Sequence, residues 1–167
     1  RIALLSFALN NVREAAFLTD ESACFQFVND ESCRLLGYTH EELLACSVPD
    51  IDPDFPVELW LDHWKQLKTS GSLTFETRHR TKDGRTIPVE INANYFEYED
   101  QEFNLALVRD ITERQQAEQS LRLNNERMET LLQLNQMTSA TMDEITSFAF
   151  EAAVRLTRSR LGYLGFI

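Results

Sequence analysis

The chain has 167 residues with 16 Lys+Arg against 27 Asp+Glu, a formal charge of -11, and such an acidic surface repels phosphate backbones and anionic lipid, which argues against nucleic-acid binding. With 43% apolar and 10% aromatic residues it can bury one ordinary core and carry an appendage. No apolar run approaches the roughly 18 to 20 residues of a membrane span, and Arg1 to Leu9 lacks the apolar core and cleavage site of a signal peptide.

The first predicted element is a β-hairpin between Ala15 and Asn29, where the runs Ala16 to Thr19 and Cys24 to Val28 flank the polar break Asp20-Glu21-Ser22. Asn29-Asp30 then offers a cap for a short helix that reaches Leu36 and closes at Gly37. Thr39-His40-Glu41-Glu42 has the form of a capping box, opening a second short helix through Leu44. Pro49, Pro53 and Pro56, interleaved with Asp50, Asp52 and Asp54, forbid a long helix and predict a surface loop or a single turn.

From Val57 the apolar residues Val57, Trp60, Leu61, Trp64 and Leu67 recur at helical steps until Ser70-Gly71, which predicts an amphipathic helix with both indoles on one face. Alternation follows. Leu73, Phe75 and Thr77 form one face of a strand, Asp83-Gly84 supplies a tight turn, and Ile87, Val89, Ile91, Ala93 and Tyr95 form the returning strand. Pro88 sits near that strand's start, where a missing donor is tolerated. Glu99 to Glu102 turns the chain again, and Phe103 to Val108 completes a meander. The result is an α+β domain of roughly a hundred residues, in which the helices and loops from Asp30 to Ser70 cross one sheet face and leave a cavity for a ligand.

After Asp110 the composition shifts, and the stretch from Glu113 to Asn135 holds neither Gly nor Pro, which predicts a long exposed helix. Ala117, Leu121, Asn124, Met128, Leu131, Asn135 and Thr138 step by fours and threes, the seam of a short coiled coil. A seam with Asn at two positions favours a parallel homodimer; the alternative is a surface helix with a solvated face. Thr141 to Glu144 is another capping box, and Ile145, Phe148, Ala149, Ala152 and Leu156 continue a fresh amphipathic helix before Gly162 to Ile167 begins a strand.

In order, Ala16 to Asp20, Phe27-Val28-Asn29, Leu36-Gly37-Tyr38-Thr39-His40-Glu41-Glu42-Leu43, Lys82-Asp83-Gly84-Arg85 and Arg109-Asp110-Ile111-Thr112-Glu113-Arg114 closely resemble a PAS (S-box) domain over about residues 10 to 114. The resemblance implies a five-stranded antiparallel sheet with helices on one face, and a sensory or dimerising input in bacterial signalling proteins. The segment Leu131 to Ile167, above all Ala152 to Thr157 and Gly162 to Phe166, resembles the opening of a GAF domain. The expected division is an N-terminal flanking helix over 1–11, the PAS domain over 12–112, a linker helix over 113–138 and the start of a GAF domain over 139–167 of a longer protein. A sensor histidine kinase is the first expectation for that protein and a diguanylate cyclase the second.

No catalytic constellation is visible: there is no phosphate loop, no GxSxG elbow and no acidic metal triad, and His40, His63 and His79 all fall inside the sensory region. Cys24, Cys33 and Cys46 are odd in number, contain no CxxC pair and make no zinc spacing with the histidines, so they read as thiols of a cytoplasmic protein, with no metal site. Among cofactors, Cys33-Arg34-Leu35-Leu36 resembles the flavin-binding light-sensor motif but lies before the Gly-Tyr segment instead of after it, and Cys46 falls two residues short of the matching position. Haem would need an axial His on the long helix, where His63 stands one turn beyond the matching Trp60. Neither cofactor is predicted.

A small polar or aromatic ligand is the remaining possibility, with Trp60 and Trp64 stacking on it, His63 beside them, and Phe75, Thr77, Asn92 and Asn94 offering walls or hydrogen bonds according to which face each strand turns inward; the alternative is that the indoles only fill the core and the domain is a ligand-free interaction module that holds two chains together. The junction Arg109-Asp110-Ile111-Thr112 ends the last strand and starts the linker helix. Asp110 or Thr112 can cap that helix, and Asp110 can also pair with Arg109 or Arg114, so the junction can carry a change in the sheet to the helix.

Overall fold

A computed structural model describes residues 14–157, in two units divided between Thr112 and Glu113. The expected flanking helix over 1–11 and the strand from Gly162 lie outside the described residues.

The first unit is built on an antiparallel sheet of five strands, β1 (Ala15–Thr19), β2 (Phe25–Val28), β3 (Ser72–Arg80), β4 (Thr86–Tyr98) and β5 (Gln101–Asp110), in the order β2-β1-β5-β4-β3. The expected α+β fold is therefore present. Because β1 pairs with the last strand, Phe17 opposite Ala106, the hairpin and the meander become one sheet. Asp20 shapes the β1–β2 turn, its carboxylate accepting the amides of Ser22 and Cys24 at 2.9 and 3.1 Å. The β4–β5 turn places Glu99 and Asp100 at φ 50° and 62°, as in the two-residue turns whose twist suits a hairpin.

Four helices cover one face: α1 (Asp30–Leu36), α2 (His40–Leu44), the single turn α3 (Val48–Ile51) and α4 (Val57–Ser70). Asn29 caps α1, and Gly37 ends it at φ 77°, a left-handed conformation that a Cβ would disfavour. The Thr39–Glu42 capping box opens α2 as expected. Leu36, Leu43, Ile51 and Leu67 from the helices meet Phe17, Val89, Ile91, Ala93 and Val108 from the sheet in the main core. On α4 the apolar stripe is narrower than the sequence suggests. Trp60, Trp64 and Leu67 are buried, whereas Val57 and Leu61 are about two-thirds exposed, at 66% and 65%, because they lie at the edge of the helix away from the sheet.

In the second unit α5 (Thr112–Gln136) continues from the boundary, and α6 (Met142–Thr157) opens on the expected capping box, the Thr141 hydroxyl accepting the Glu144 amide at 3.3 Å. Thr130 of α5 is buried, and Arg155 of α6 donates to its hydroxyl at 3.4 Å, so α6 returns against the Thr130 side of α5. The positions that form the expected seam include Ala117, Leu121, Met128 and Leu131, and Leu121, Met128 and Leu131 are more than half exposed in the single chain, at 62%, 68% and 61%.

Candidate functional site

Between the helical layer and the sheet lies a cavity of about 40 Å³, walled by Phe17, Phe25, Phe55, Trp60, Phe75, Ile91 and Val108 among others. Such a volume holds about two or three waters, or a ligand of a few non-hydrogen atoms. Into this largely apolar shell come the polar side chains of Thr19, Asp52, His63, His79 and Asn104.

Asp52 reaches the interior because of what precedes and follows it. Ser47 opens α3, its amide donating to the Asp50 carboxylate at 2.8 Å. Pro53 then disfavours helical geometry at the residue before it, and Asp52 leaves α3 with ψ 98°, its amide still donating to Val48 O. The turn is fastened over β3 at the surface, where Arg78 Nε donates to Asp54 at 2.6 Å and Arg80 donates to Asp50 O at 2.9 Å. Asp52 is thereby pressed inward to 2% exposure, where the Thr77 hydroxyl shares its proton between both carboxylate oxygens at 3.0 Å and the Asp54 amide donates at 3.0 Å. Burial drives its carboxyl up to about 6, against the partial relief of the Thr77 and Asp54 hydrogen bonds.

His79 follows Leu73, Phe75 and Thr77 on the inner face of β3 and is 3% exposed. Its Nε2 stands 4.0 Å from Asp52 Oδ2, beyond a hydrogen bond, and its Nδ1 has no partner among the described residues. Burial pushes the imidazole down to about 4, so it is neutral at pH 7. The ring stands edge-on to Phe17 at 6.2 Å. Asn104 of β5 donates to Thr19 at 3.3 Å, while its carbonyl oxygen is buried without a partner. His79 pairs with Ile87 and Asn104 with Tyr95, eight positions apart on β4, so the two residues join the lining from widely separated registers of the sheet.

The structure brings some predicted site residues together and separates others. Trp60, His63 and Phe75 line the cavity, and Thr77 touches it through Asp52. Trp64 does not line it: its indole is edge-on to Tyr95 at 6.1 Å and donates to Glu102 at 3.4 Å. Asn92 and Asn94 lie on the opposite sheet face, where Asn92 donates to Thr74 at 2.9 Å and Asn94 to Asn92 at 2.6 Å. The reason is the pleat: Val89, Ile91 and Ala93 point inward, so the residues between them point out. Four polar residues of the cavity, Thr19, Asp52, His79 and Asn104, are not among the predicted site residues. A signal for His79 and Asn104 exists in the sequence, since each continues an inward alternation, Phe75-Thr77-His79 and Asn104-Ala106-Val108. Asp52 has no such signal, because along the chain it is one of three similar loop carboxylates.

The cofactor expectations meet the same geometry. His63 is packed among Phe55, Trp60 and Phe75 at ring distances of 4.8, 5.6 and 5.4 Å, and the cavity beside it has no room for a porphyrin in this arrangement. Cys33 and Cys46 do not line the cavity, and burial raises both thiols, which opposes the reactive thiolate. Among the described residues no group of three or more His, Cys, Asp or Glu is placed to hold a metal ion, and no helix is long and apolar enough to cross a membrane.

At the junction Asp110 accepts the Thr112 amide at 2.7 Å, while Arg109 lies 3.5 Å from Glu14. Ile111 between them is buried and donates its amide to Pro88 O at 3.1 Å, which ties the residue after β5 to β4.

Known proteins share this architecture. A model of the PAS domain matches residues 13–113. The methyl sulfide methyltransferase-associated sensor of Methanosarcina acetivorans is 37% identical over 162 residues, which is 95% of this chain and 16% of that protein; the chain thus spans about a sixth of that relative's length. The crystal structure of a PAS domain from a two-component sensor histidine kinase superposes with a TM-score of 0.59 at 32% identity, covering 65% of this chain and 95% of that one. The PAS domain of an HTR-like protein from Haloarcula marismortui gives 0.62 at 26% identity, covering 66% and 91%.

Proposed function

Since the chain belongs to the PAS domain family, we propose that it is the ligand-sensing input module of a longer signalling protein, with a sensor histidine kinase as the parent. The reading takes the cavity as the sensor and the Arg109-Asp110-Ile111-Thr112 junction as the exit. A small molecule seated between helices and sheet changes the relative stability of two sheet arrangements. Ile111 and Asp110, bonded to Pro88 and Thr112, pass that change to the start of α5.

The observation that carries this reading is the pair of polar atoms without a partner among the described residues, His79 Nδ1 and Asn104 Oδ1, in a largely apolar core with room left over. A buried polar atom without a partner is unfavourable by about 1 to 3 kcal/mol, and a core that only had to be stable would replace it with carbon. The exposed apolar residues Leu121, Met128 and Leu131 support the second half of the reading, a homodimer through α5 that carries the signal to a domain beginning near residue 139, taken as GAF. We read the module as cytoplasmic, from its three unpaired thiols.

The test is a thermal-melt screen of the 167-residue chain against small molecules of up to about six non-hydrogen atoms, repeated on Ala106→Leu, which fills the cavity from β5. The reading expects saturable stabilisation of the wild type that Ala106→Leu abolishes. If no molecule stabilises the wild type, or the filled variant responds equally, the sensing role is wrong.

A further inference from the structure

The cavity has an unusual charge arrangement at its Asp52 end. The Asp52 carboxyl is 1% exposed, and among the described residues no Lys or Arg is within ion-pair distance of it. Arg78 of β3 is paired with Asp54 at the surface and reaches Asp52 only as a distant charge that relieves its burial in part, and Arg80 is bonded to Asp50 O. His79, which faces Asp52 at 4.0 Å, is neutral and cannot supply the missing charge. Thr77 and the Asp54 amide donate to the carboxylate but leave lone pairs of Oδ2 open. A buried carboxylate in this state is incomplete, because burial without a counter-cation is strongly unfavourable.

The remaining surroundings specify what would complete it. In a neutral imidazole one nitrogen accepts, and if Nε2 carries the proton toward Asp52, Nδ1 is an open acceptor. Acceptors without donors call for a ligand rich in N–H. The lining carries three phenyl rings, Phe55 three residues beyond Asp52, Phe75 at 6.1 Å from Phe55, and Phe17 against His79, beside the aliphatic Val48 and Ile51. Aromatic faces attract cations, and more strongly where water is excluded. The space of about 40 Å³ limits the ligand to a few non-hydrogen atoms.

We propose that the Asp52 end of the cavity binds a small organic cation, an alkylammonium of about two to four non-hydrogen atoms, whose N–H groups meet Asp52 and His79 and whose alkyl group lies against Phe17, Phe55 and Phe75. The proposal rests on the ligand-sensing reading above and gives that ligand a charge, a size and an anchoring residue. It assigns Asp52 as the anchor and Thr77 as the residue that orients it.

The experiment uses the 167-residue chain at constant ionic strength and follows Trp60 emission and melting temperature during titration with methylammonium or ethylammonium chloride, against sodium chloride, ethanol and sodium acetate. Saturable binding of the ammonium ions alone is expected, weakened at least about tenfold in Asp52→Asn, where one ionic hydrogen bond is lost. Lowering the pH from 7.5 to 4.5 is expected to weaken it by a similar factor in the wild type. His79, His63, Asp54 and Arg78 also surround the site, and the pH response left in Asp52→Asn measures their share. Ammonium ions no better than sodium, equal binding of ethanol or acetate, or Asp52→Asn binding within about twofold of wild type would overturn the cation assignment. Should Asp52→Asn not fold, wild-type binding that is equally tight at the two pH values overturns it instead. A neutral or anionic molecule that stabilises the wild type but not Ala106→Leu would overturn the assignment and leave ligand sensing intact. A cavity that only holds water would overturn both.

Discussion

Replacing Asp52 by Asn provides a quantitative test of the buried carboxylate. The Asn carbonyl can still accept the Thr77 hydroxyl and the Asp54 amide, so the change removes the charge and keeps the shape. In the folded state the carboxyl titrates at about 6 against an ordinary 3.8, a difference that corresponds to about 3 kcal/mol. The sign follows from linkage. The folded chain holds this proton more tightly than the unfolded one, so the wild type loses stability as pH rises from about 4 to about 6, and the penalty is complete above that. His79 runs the other way. Its folded value of about 4 lies below the ordinary 6.5, so it contributes a loss of stability as pH falls through that interval. The two effects oppose each other between about pH 4 and pH 6, which conceals both in the wild-type profile. The difference between variant and wild type isolates Asp52. Urea unfolding, read by the buried indoles of Trp60 and Trp64, is expected to show Asp52→Asn gaining about 2 to 3 kcal/mol relative to wild type between pH 4 and pH 7.5, whatever the offset from the new amide hydrogens. A difference constant across that range within about 0.5 kcal/mol would refute the argument.

Three further outcomes are expected. Asn29→Ala removes the acceptor of the Ala16 amide and the donor to Glu14 O, which fasten the β1 end of the sheet, together with the cap on the Ser32 amide of α1, and should lower unfolding free energy by about 3 kcal/mol in urea melts; a loss below about 1 kcal/mol would mean these bonds are replaced by water. Asp110→Ala should weaken stability by only about 1 kcal/mol while hydrogen exchange at Thr112 accelerates, with Asp110→Asn close to wild type; unchanged exchange would remove Asp110 from the junction. Met128→Glu with Leu131→Glu leaves the single chain's core untouched, since both side chains are exposed. The proposed homodimer should then dissociate in sedimentation at concentrations where the wild type is paired, and identical sedimentation would dismiss the α5 seam.

Periodicity and local chemistry make most of the secondary structure legible. The capping boxes at Thr39 and Thr141, the stop at Gly37 and the Asp83-Gly84 turn depend on atoms within a few residues of one another, and they occur where the residue order predicts. Alternation in β3 and β4 likewise identifies an inward face once a phase is chosen. Phase is the weak point: Asn92 and Asn94 belong to the outward set, and His79 and Asn104 to the inward one.

What this sequence determined unaided is its class and the local shape of its elements, because helix caps, turn residues and side-chain period are set by near neighbours along the chain. The site was decided by contacts across long separations. Asp52 becomes a buried charge only when Thr77, 25 residues later, and the Arg78–Asp54 pair hold its loop against β3, and Thr19 meets Asn104 across 85 residues only when the first strand joins the last. A loop carboxylate and a buried one have the same flanking letters, and the difference between them is the solvent that the opposite layer removes.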